Sequence, residues 1–312
     1  MTEMTPAQTG SQLQRALGAG RFVITAEVTP PVSCARGDLI AKAQPLKGLA
    51  DAVNVTDGAG ARPHMAAVTA ATILVEAGIE PILQFTCRDR NRIALQSELM
   101  GAAAMGVHNL LLLRGDDPSQ GDQPDAKPVF DLDTRVLMRT AAALRDSNEL
   151  PTGRKVGGQA SFFIGAADSP IDPKPDWAPK GLQDKIAAGA QFAQTQFCMD
   201  ASLAGRYVAR LREAGIPDDF HIILGVAVLR SAKSARWIRD NLYGSIIPDA
   251  LIERLEGAQD QAAEGRRIAQ EYLSQLAETP GIAGAHLMAP LHEDAIPEVI
   301  SGLGWDGRMR AR

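Results

Sequence analysis

The stretch PILQFTCRDRNRIALQSELMGAAAMGVHNLLLLR, residues 81–114, holds one complete structural repeat. Two short apolar runs, PILQFTC (81–87) and NLLLLR (109–114), flank a segment of helical period from Asn91 to Met105. Short apolar runs bounded by turns read as buried strands, and the longer periodic segment as a helix, so the unit is strand–helix–strand. Working outward, the scheme recurs. FVITAEV (22–28) leads to a helix over 38–49, and AVNVT (52–56) to a Gly-rich turn and a helix over 65–77. After the fourth strand a Pro- and Asp-rich loop (116–131) precedes a helix over 134–145. In the second half, QASFFIGA (159–166), QFAQTQF (191–197), FHIILGV (220–226) and GAHLMA (284–289) read as strands. Helices are expected over 182–188, 203–214, 233–241 and 295–303, with a helical insert over 248–276.

Eight strand–helix units is the count of a closed (β/α)8 barrel. The strand ends Glu27, Thr56, Thr86 and Arg114 lie 29, 30 and 28 residues apart, and Ala166, Gln196 and Gly225 lie 30 and 29 apart. The doubly wound dinucleotide fold competes poorly, because no GxGxxG follows a strand and two units would be left unused. The expected fold is a single α/β barrel of the TIM type, with a long loop after strand 4 and a helical insert before strand 8. Residues 1–20 are expected to form an N-terminal arm or short helix, and 21–312 one domain.

Composition narrows the function classes. Over 312 residues, 32 Lys and Arg face 37 Asp and Glu, a net charge of −5, with no basic block to hold nucleic acid or an anionic membrane. Hydrophobic content of 45% is that of a globular chain. Cys34, Cys87 and Cys198 are too scattered for a disulfide framework or a cysteine-rich zinc site. Apolar runs such as 66–75 fall short of a membrane span, and the polar start MTEMTPAQTGSQ does not read as a signal peptide. The expectation is a cytoplasmic protein.

Active sites of such barrels lie at the C-terminal ends of the strands. Glu27 sits there among apolar neighbours, just before Pro30 and Pro31. Loss of hydration favours the neutral carboxyl, which suits a general acid; the competing reading is an outward Glu paired with a helix cation. Arg114–Gly115–Asp116 ends strand 4, and Gly115 permits a sharp turn that aims Asp116 at the mouth. Gln196 offers a donor and an acceptor suited to a heteroaromatic edge, against the alternative of an amide satisfied by backbone. His64, His108, His221, His286 and His292 lack metal spacing and read as surface or core histidines. No GxSxG elbow or cysteine signature supports a Ser or Cys nucleophile.

The strand ends together resemble the methylenetetrahydrofolate reductase family. The resemblance runs through AEVTPP (26–31), DAVNVTD (51–57), QFTCRDRNR (84–92), LLRGDDPSQGDQPDAKPVFDLD (112–133), FFIGAADSP (162–170), KIAAGAQFAQTQ (185–196) and TPGIAGAHLMA (279–289). It implies a barrel, over 21–312, that binds a flavin and reduces 5,10-methylenetetrahydrofolate to 5-methyltetrahydrofolate. FAD is the implied flavin, with FMN as the alternative, and NADH or NADPH the implied electron donor. Glu27 matches the family's acid, Asp116 an aspartate near flavin and pterin, and Gln196 the glutamine on the folate ring. Thr56, Asp57, Ala59, Gln84, Arg114, Gly115, Asp116, Ala166, Asp168 and Lys185 are implied flavin-side positions, with Arg114 and Lys185 suited to ribityl or phosphate groups.

Departures accompany the match. GAADSPIDP (165–173) stands where many members carry a YPEGHPE-like stretch, so Asp168 replaces a Tyr and a His is missing. Gln84 replaces a strand-3 His, and AEVTPP replaces an FEFFPP-like form. The chain ends soon after the eighth unit, so the eukaryotic regulatory domain is not expected. Partners implied are the folate and the nicotinamide donor; a homo-oligomer or a methyltransferase-associated partner stays open, since the sequence does not give the oligomeric state. Two other function classes stay open: a non-redox pterin-binding subunit serving a corrinoid methyl-transfer partner, and a flavin barrel with a different substrate.

Overall fold

A computed structural model describes residues 10–305. Among these, eight parallel strands pair in chain order and close on themselves. They are β1 (Val23–Val28), β2 (Ala52–Val55), β3 (Pro81–Thr86), β4 (Asn109–Leu113), β5 (Phe163–Asp168), β6 (Phe192–Phe197), β7 (His221–Ala227) and β8 (Ile282–Met288). Closure is set by β1 against β8, with Val23 opposite Gly284 and Thr25 opposite His286. Around the barrel run α2 (Arg36–Ala43), α3 (Ala67–Glu76), α4 (Arg92–Ala104), α5 (Thr134–Asp146), α6 (Lys180–Ala187), α7 (Ala201–Glu213), α8 (Ala232–Asn241) and α11 (Ile296–Gly302). The expected (β/α)8 barrel is therefore present.

Three elements differ most from expectation. The helix expected over 38–49 is Arg36–Ala43, giving way to a 3-10 turn, Gln44–Leu46, at Pro45. β5 begins at Phe163 rather than Gln159, because its partner β4 begins at Asn109 and residues 159–162 have no strand to pair with. The first link is the Phe163 N–H donated to His108 O at 2.8 Å. The insert before β8 is two helices, α9 (Asp249–Glu256) and α10 (Gln261–Glu278), broken at Gly257 and restarted by Asp260, whose carboxylate accepts from Ala263 N. No helix of the described residues is long and apolar enough to cross a membrane.

Strand alternation splits the core in two. One set, including Ile24, Ala26, Val53, Leu83, Phe85, Leu112 and Ile164, packs outward against the helices. The other, Val23, Ala52, Ile82, Leu111, Phe163, Phe192 and Ile223, fills the barrel's lower interior. A helix that precedes the barrel, α1 (Gln12–Gly18), closes that floor with Leu13, Ala16 and Leu17. Its free N–H groups are satisfied by Ser11 Oγ and by the Glu80 carboxylate, which accepts from Gln12 N at 2.7 Å and Leu13 N at 2.8 Å. The Phe163 and Phe192 rings stack at 4.7 Å. Gly165 makes the space, since a Cβ there would sit 2.4 Å from Phe192 Cζ.

The loop after β4 is largely exposed and is tied back to the end of β3 and the start of α4 at its far end. Val129 N donates to Arg88 O at 2.7 Å, and Arg92 grips Asp131 with two guanidinium bonds of 2.7 and 2.8 Å. Asp133 then caps α5.

Candidate active site

Above the apolar floor lies a belt of buried polar side chains, one step up the same strand faces. Gln194 Nε2 donates to Asn54 Oδ1 and to Thr25 Oγ1, both at 3.0 Å, and Asn54 Nδ2 donates back to Gln194 Oε1 at 2.6 Å. Thr25 Oγ1 in turn lies 3.0 Å from His286 Nδ1. All four residues are buried, so the belt satisfies groups that water cannot reach.

One step higher again, Glu27 enters the mouth from the end of β1 with its side chain 22% exposed. Alternation puts it above Thr25 and Val23, inside the barrel, so the outward, helix-paired arrangement does not occur. Gln84 Nε2, from β3, donates to Glu27 Oε2 at 3.1 Å, and His286 Nε2 faces the same oxygen at 3.8 Å. Glu27 and Gln84 are thus in direct contact.

The ends of β2, β3 and β4 form a second cluster. Thr56 is buried, with Oγ1 3.4 Å from His64 Nε2, and the Gly58 N–H donates to that nitrogen at 2.8 Å. Asp57 is committed internally: its Oδ2 accepts from Thr86 N at 2.8 Å, from Thr86 Oγ1 at 3.0 Å and from the Arg90 guanidinium. Arg90 is held in turn by Glu98. Arg88, also buried, donates to Gly58 O at 3.0 Å and pairs with Asp89. Ala59 opens an exposed turn, Ala59–Ala61. Gly115 takes φ +92°, where a Cβ would come within 2.8 Å of Arg88 Cβ. Asp116 follows and accepts from Gly60 N at 2.8 Å, tying the β4 end to the β2 turn. The exposed Arg114 guanidinium lies 4.4 Å over the Phe130 ring.

The ends of β5 and β6 carry the rest. Asp168 accepts from the Tyr207 hydroxyl; burial pushes the Asp168 carboxyl above its ordinary range, opposed by that hydrogen bond and by Lys185. Lys185 Nζ donates to Ala167 O at 2.6 Å. Gln196 Oε1 accepts from Phe197 N at 3.0 Å, and its Nε2 donates to Tyr243 O at 3.4 Å. Ala166 is fully buried in the outer core, so its side chain faces the helices and offers the mouth only backbone. No hydrogen bond or ion pair of the described residues joins Glu27 to Asp116 or to Gln196. Burial pushes the Cys87 and Cys198 thiols up to about 11, so neither is a thiolate at neutral pH.

Sequence reading missed the Arg90–Asp57 pair and the polar belt beneath Glu27. His286 carried a usable signal, since strict alternation in GAHLMA puts Gly284, His286 and Met288 on one face. The Asp57 partner, 33 residues away, carried none.

A closed parallel barrel with a carboxyl–amide pair at its mouth and cations at the ends of β4 and α6 defines a TIM barrel whose polar groups gather on the βα-loop face, where ligands are met in this fold. The chain belongs to the methylenetetrahydrofolate reductase family, whose family model matches residues 12–304. It is 28% identical over 243 residues to a probable methylenetetrahydrofolate reductase (NADPH) of Caenorhabditis elegans, covering 75% of this chain and 34% of that one. It is 24% identical over 264 residues to methylenetetrahydrofolate reductase 1 of Schizosaccharomyces pombe, covering 81% of this chain and 40% of that one. The chain thus spans well under half the length of these curated relatives. A structure from Clostridium thermocellum, described as binding two copies of 5-methyl-5,6,7,8-tetrahydrofolic acid, superposes with a TM-score of 0.65 at 13% identity, covering 94% of this chain and 99% of that one, which shows the shared fold.

Proposed function

We propose that this chain reduces 5,10-methylenetetrahydrofolate to 5-methyltetrahydrofolate, with a bound flavin and NADH or NADPH as the electron source. The observation that carries the reading is Glu27: a half-buried carboxyl at the end of β1, inside the mouth and hydrogen-bonded to Gln84, in a chain matched by the family model over nearly its whole length. The NADPH in the nematode relative's name and the methyltetrahydrofolate in the Clostridium structure's title support the donor and the substrate class.

The donor set suits a flavin. Arg114 is exposed and forms no hydrogen bond or ion pair with any described residue, and Lys185 Nζ spends one N–H on Ala167 O, so both cations can meet phosphate or ribityl oxygens. Thr56, Gln84 and the turn of Asp57, Ala59, Gly115 and Asp116 would line the ring system, with backbone alone from Ala166. Asp168 would act through Lys185, its neighbour in charge. A bound flavin supplies the two-electron redox chemistry; FAD is our reading of which flavin it is.

The protein's own part is acid catalysis and charge placement. Glu27 delivers a proton to the nitrogen that leaves the folate's five-membered ring; the C–N electron pair stays on that nitrogen and an iminium carbon remains to be reduced. Asp116, anchored by Gly60 N–H, places a carboxylate to stabilise that cation. Gln196 orients the pterin edge through its amide.

The test is an anaerobic absorption titration of the purified protein. Bleaching of a flavin band by NADH or NADPH, then recolouring by methylenetetrahydrofolate, is the expected result. A preparation without flavin that cannot be reconstituted would replace this reading with that of a non-redox pterin-binding subunit.

A further inference from the structure

We infer that Thr195 is a positioning residue for Gln196, locking an irregularity in β6 so that the Gln196 amide is set in place before a ligand arrives. The inference rests on Gln196 meeting the pterin of the proposed substrate.

β6 and β7 do not stay in step. Phe192 pairs with His221, Ala193 with Ile222 and Gln194 with Ile223, but the next pair is Phe197 with Gly225. Three steps along β6 thus match two along β7, so β6 carries one extra residue where Thr195 and Gln196 stand. An extra residue disrupts the ladder locally, and the backbone there needs another restraint. Thr195 supplies it. The residue is buried, and its hydroxyl accepts from Gly225 N at 2.9 Å and donates to Gln196 O at 2.9 Å. A backbone amide nitrogen can only donate and a carbonyl oxygen only accept, so both roles of the hydroxyl are fixed. Gly225 makes room for the extra residue, since a Cβ there would lie 2.4 Å from Thr195 O and 2.6 Å from Gln196 O.

With its carbonyl tied by Thr195, Gln196 has its side chain set from two further sides. Oε1 accepts from Phe197 N at 3.0 Å, and Nε2 donates to Tyr243 O at 3.4 Å. The segment carrying Tyr243 is itself docked on the end of β6, because Ile246 N donates to Phe197 O and Met199 N to Ile246 O, both at 2.8 Å. The amide keeps a second N–H and a second lone pair, a donor beside an acceptor, which complements the ring N–H and carbonyl of a pterin. A group already ordered in its binding position costs less to immobilise when the ligand arrives. Thr195 touches the backbone of Gln196 and not the ligand, so its effect falls on how tightly the folate is held and leaves the chemical step alone.

Binding of 5-methyltetrahydrofolate to the full-length holoprotein, followed by equilibrium dialysis, tests this without turnover. Thr195→Val keeps the shape and loses both bonds, and should weaken binding roughly fivefold. Thr195→Ser, which keeps the hydroxyl, should stay within about twofold of wild type. Gln196→Ala should weaken binding roughly thirtyfold, and adding Thr195→Val to it should change the affinity by less than about twofold, because Thr195 acts through Gln196. In single-turnover reoxidation by methylenetetrahydrofolate, Thr195→Val should raise the half-saturating concentration by a similar factor and leave the limiting rate within about twofold. Flavin content should not change. Wild-type affinity in Thr195→Val, an equal loss in Thr195→Ser, or a full further loss on top of Gln196→Ala would each overturn the inference. Should Thr195→Val not fold, Thr195→Ala is held to the same numbers. A wild-type protein that binds methyltetrahydrofolate yet never exchanges electrons with a folate would instead sink the functional proposal, while the binding series still decides the role of Thr195. A wild-type protein that binds no folate would overturn both.

Discussion

The floor and the mouth of this barrel are made from the same strands, four residues apart, and have opposite chemistry. Val23 and Glu27 lie on one face of β1, and Phe192 and Gln196 on one face of β6. The floor is apolar, plugged by α1 and the Phe163–Phe192 stack. Between the two ends, Thr25, Asn54, Gln194 and His286 form a polar belt whose groups satisfy one another. The difference teaches how a barrel separates stability from reactivity. The lower layer gains from burial, roughly 1.5–3 kcal/mol for each large side chain. The upper layer holds charge that burial would penalise, and tolerates it because donors are already in place.

Substitutions should separate the two ends. The largest effect is expected at the mouth: Glu27→Gln should lower folate turnover about 10²–10⁴-fold, with flavin content and denaturation midpoint unchanged. A variant that unfolded instead would join mouth to floor as one structural unit. At the floor, Phe192→Ala should cost about 3–5 kcal/mol of stability while the remaining folded protein keeps its turnover. Chemical denaturation with activity per folded molecule checks this; a turnover loss at full stability would break the division.

A smaller effect is expected at the Arg90–Asp57 pair, with side chains 14% and 11% exposed. Arg90→Met leaves Asp57 with its Thr86 donors and only the less direct charge of Arg88, and should cost about 3 kcal/mol in the same denaturation assay. The smallest effect concerns Asp168, whose carboxyl is raised by burial. A carboxyl with a higher value folded than unfolded binds its proton more tightly in the fold. Its contribution to stability is full below about pH 4, the unfolded value, and is lost as pH rises through the folded value. Wild type and Asp168→Asn should therefore have the same relative stability in acid, with the variant gaining as pH rises toward neutrality. Thermal melts across pH would show it, and a gap that widened toward acid would contradict the assignment.

Much of the barrel was legible because the repeat of 28–30 residues is a property of the chain itself, and each unit carries its own apolar run. The edges of elements were less so. β5 starts where β4 starts, which is a fact about pairing and not about residues 159–162. At the site, Glu27, Gln84 and Gln196 could be placed near strand ends, but inward and outward could not be separated by hydropathy. Parallel strands are buried on both faces, so Ala166, read as a cofactor contact, and Phe163, three residues before it, look alike in sequence and face opposite ways. The sequence reading passed over Asn54 and Gln194 and took His286 as a surface or core histidine. Their meaning lies in contacts across the barrel, such as Thr25 with Gln194 over 169 residues.

The central claim is that Glu27 is the acid at the mouth of a folate-reducing barrel. Its most direct test is single-turnover reoxidation: the flavin of wild type and of Glu27→Gln is reduced anaerobically, and methylenetetrahydrofolate is then added. The account predicts that wild type recolours and forms methyltetrahydrofolate, while Glu27→Gln stays bleached until air is admitted. Recolouring of Glu27→Gln by the folate at the wild-type rate would contradict it.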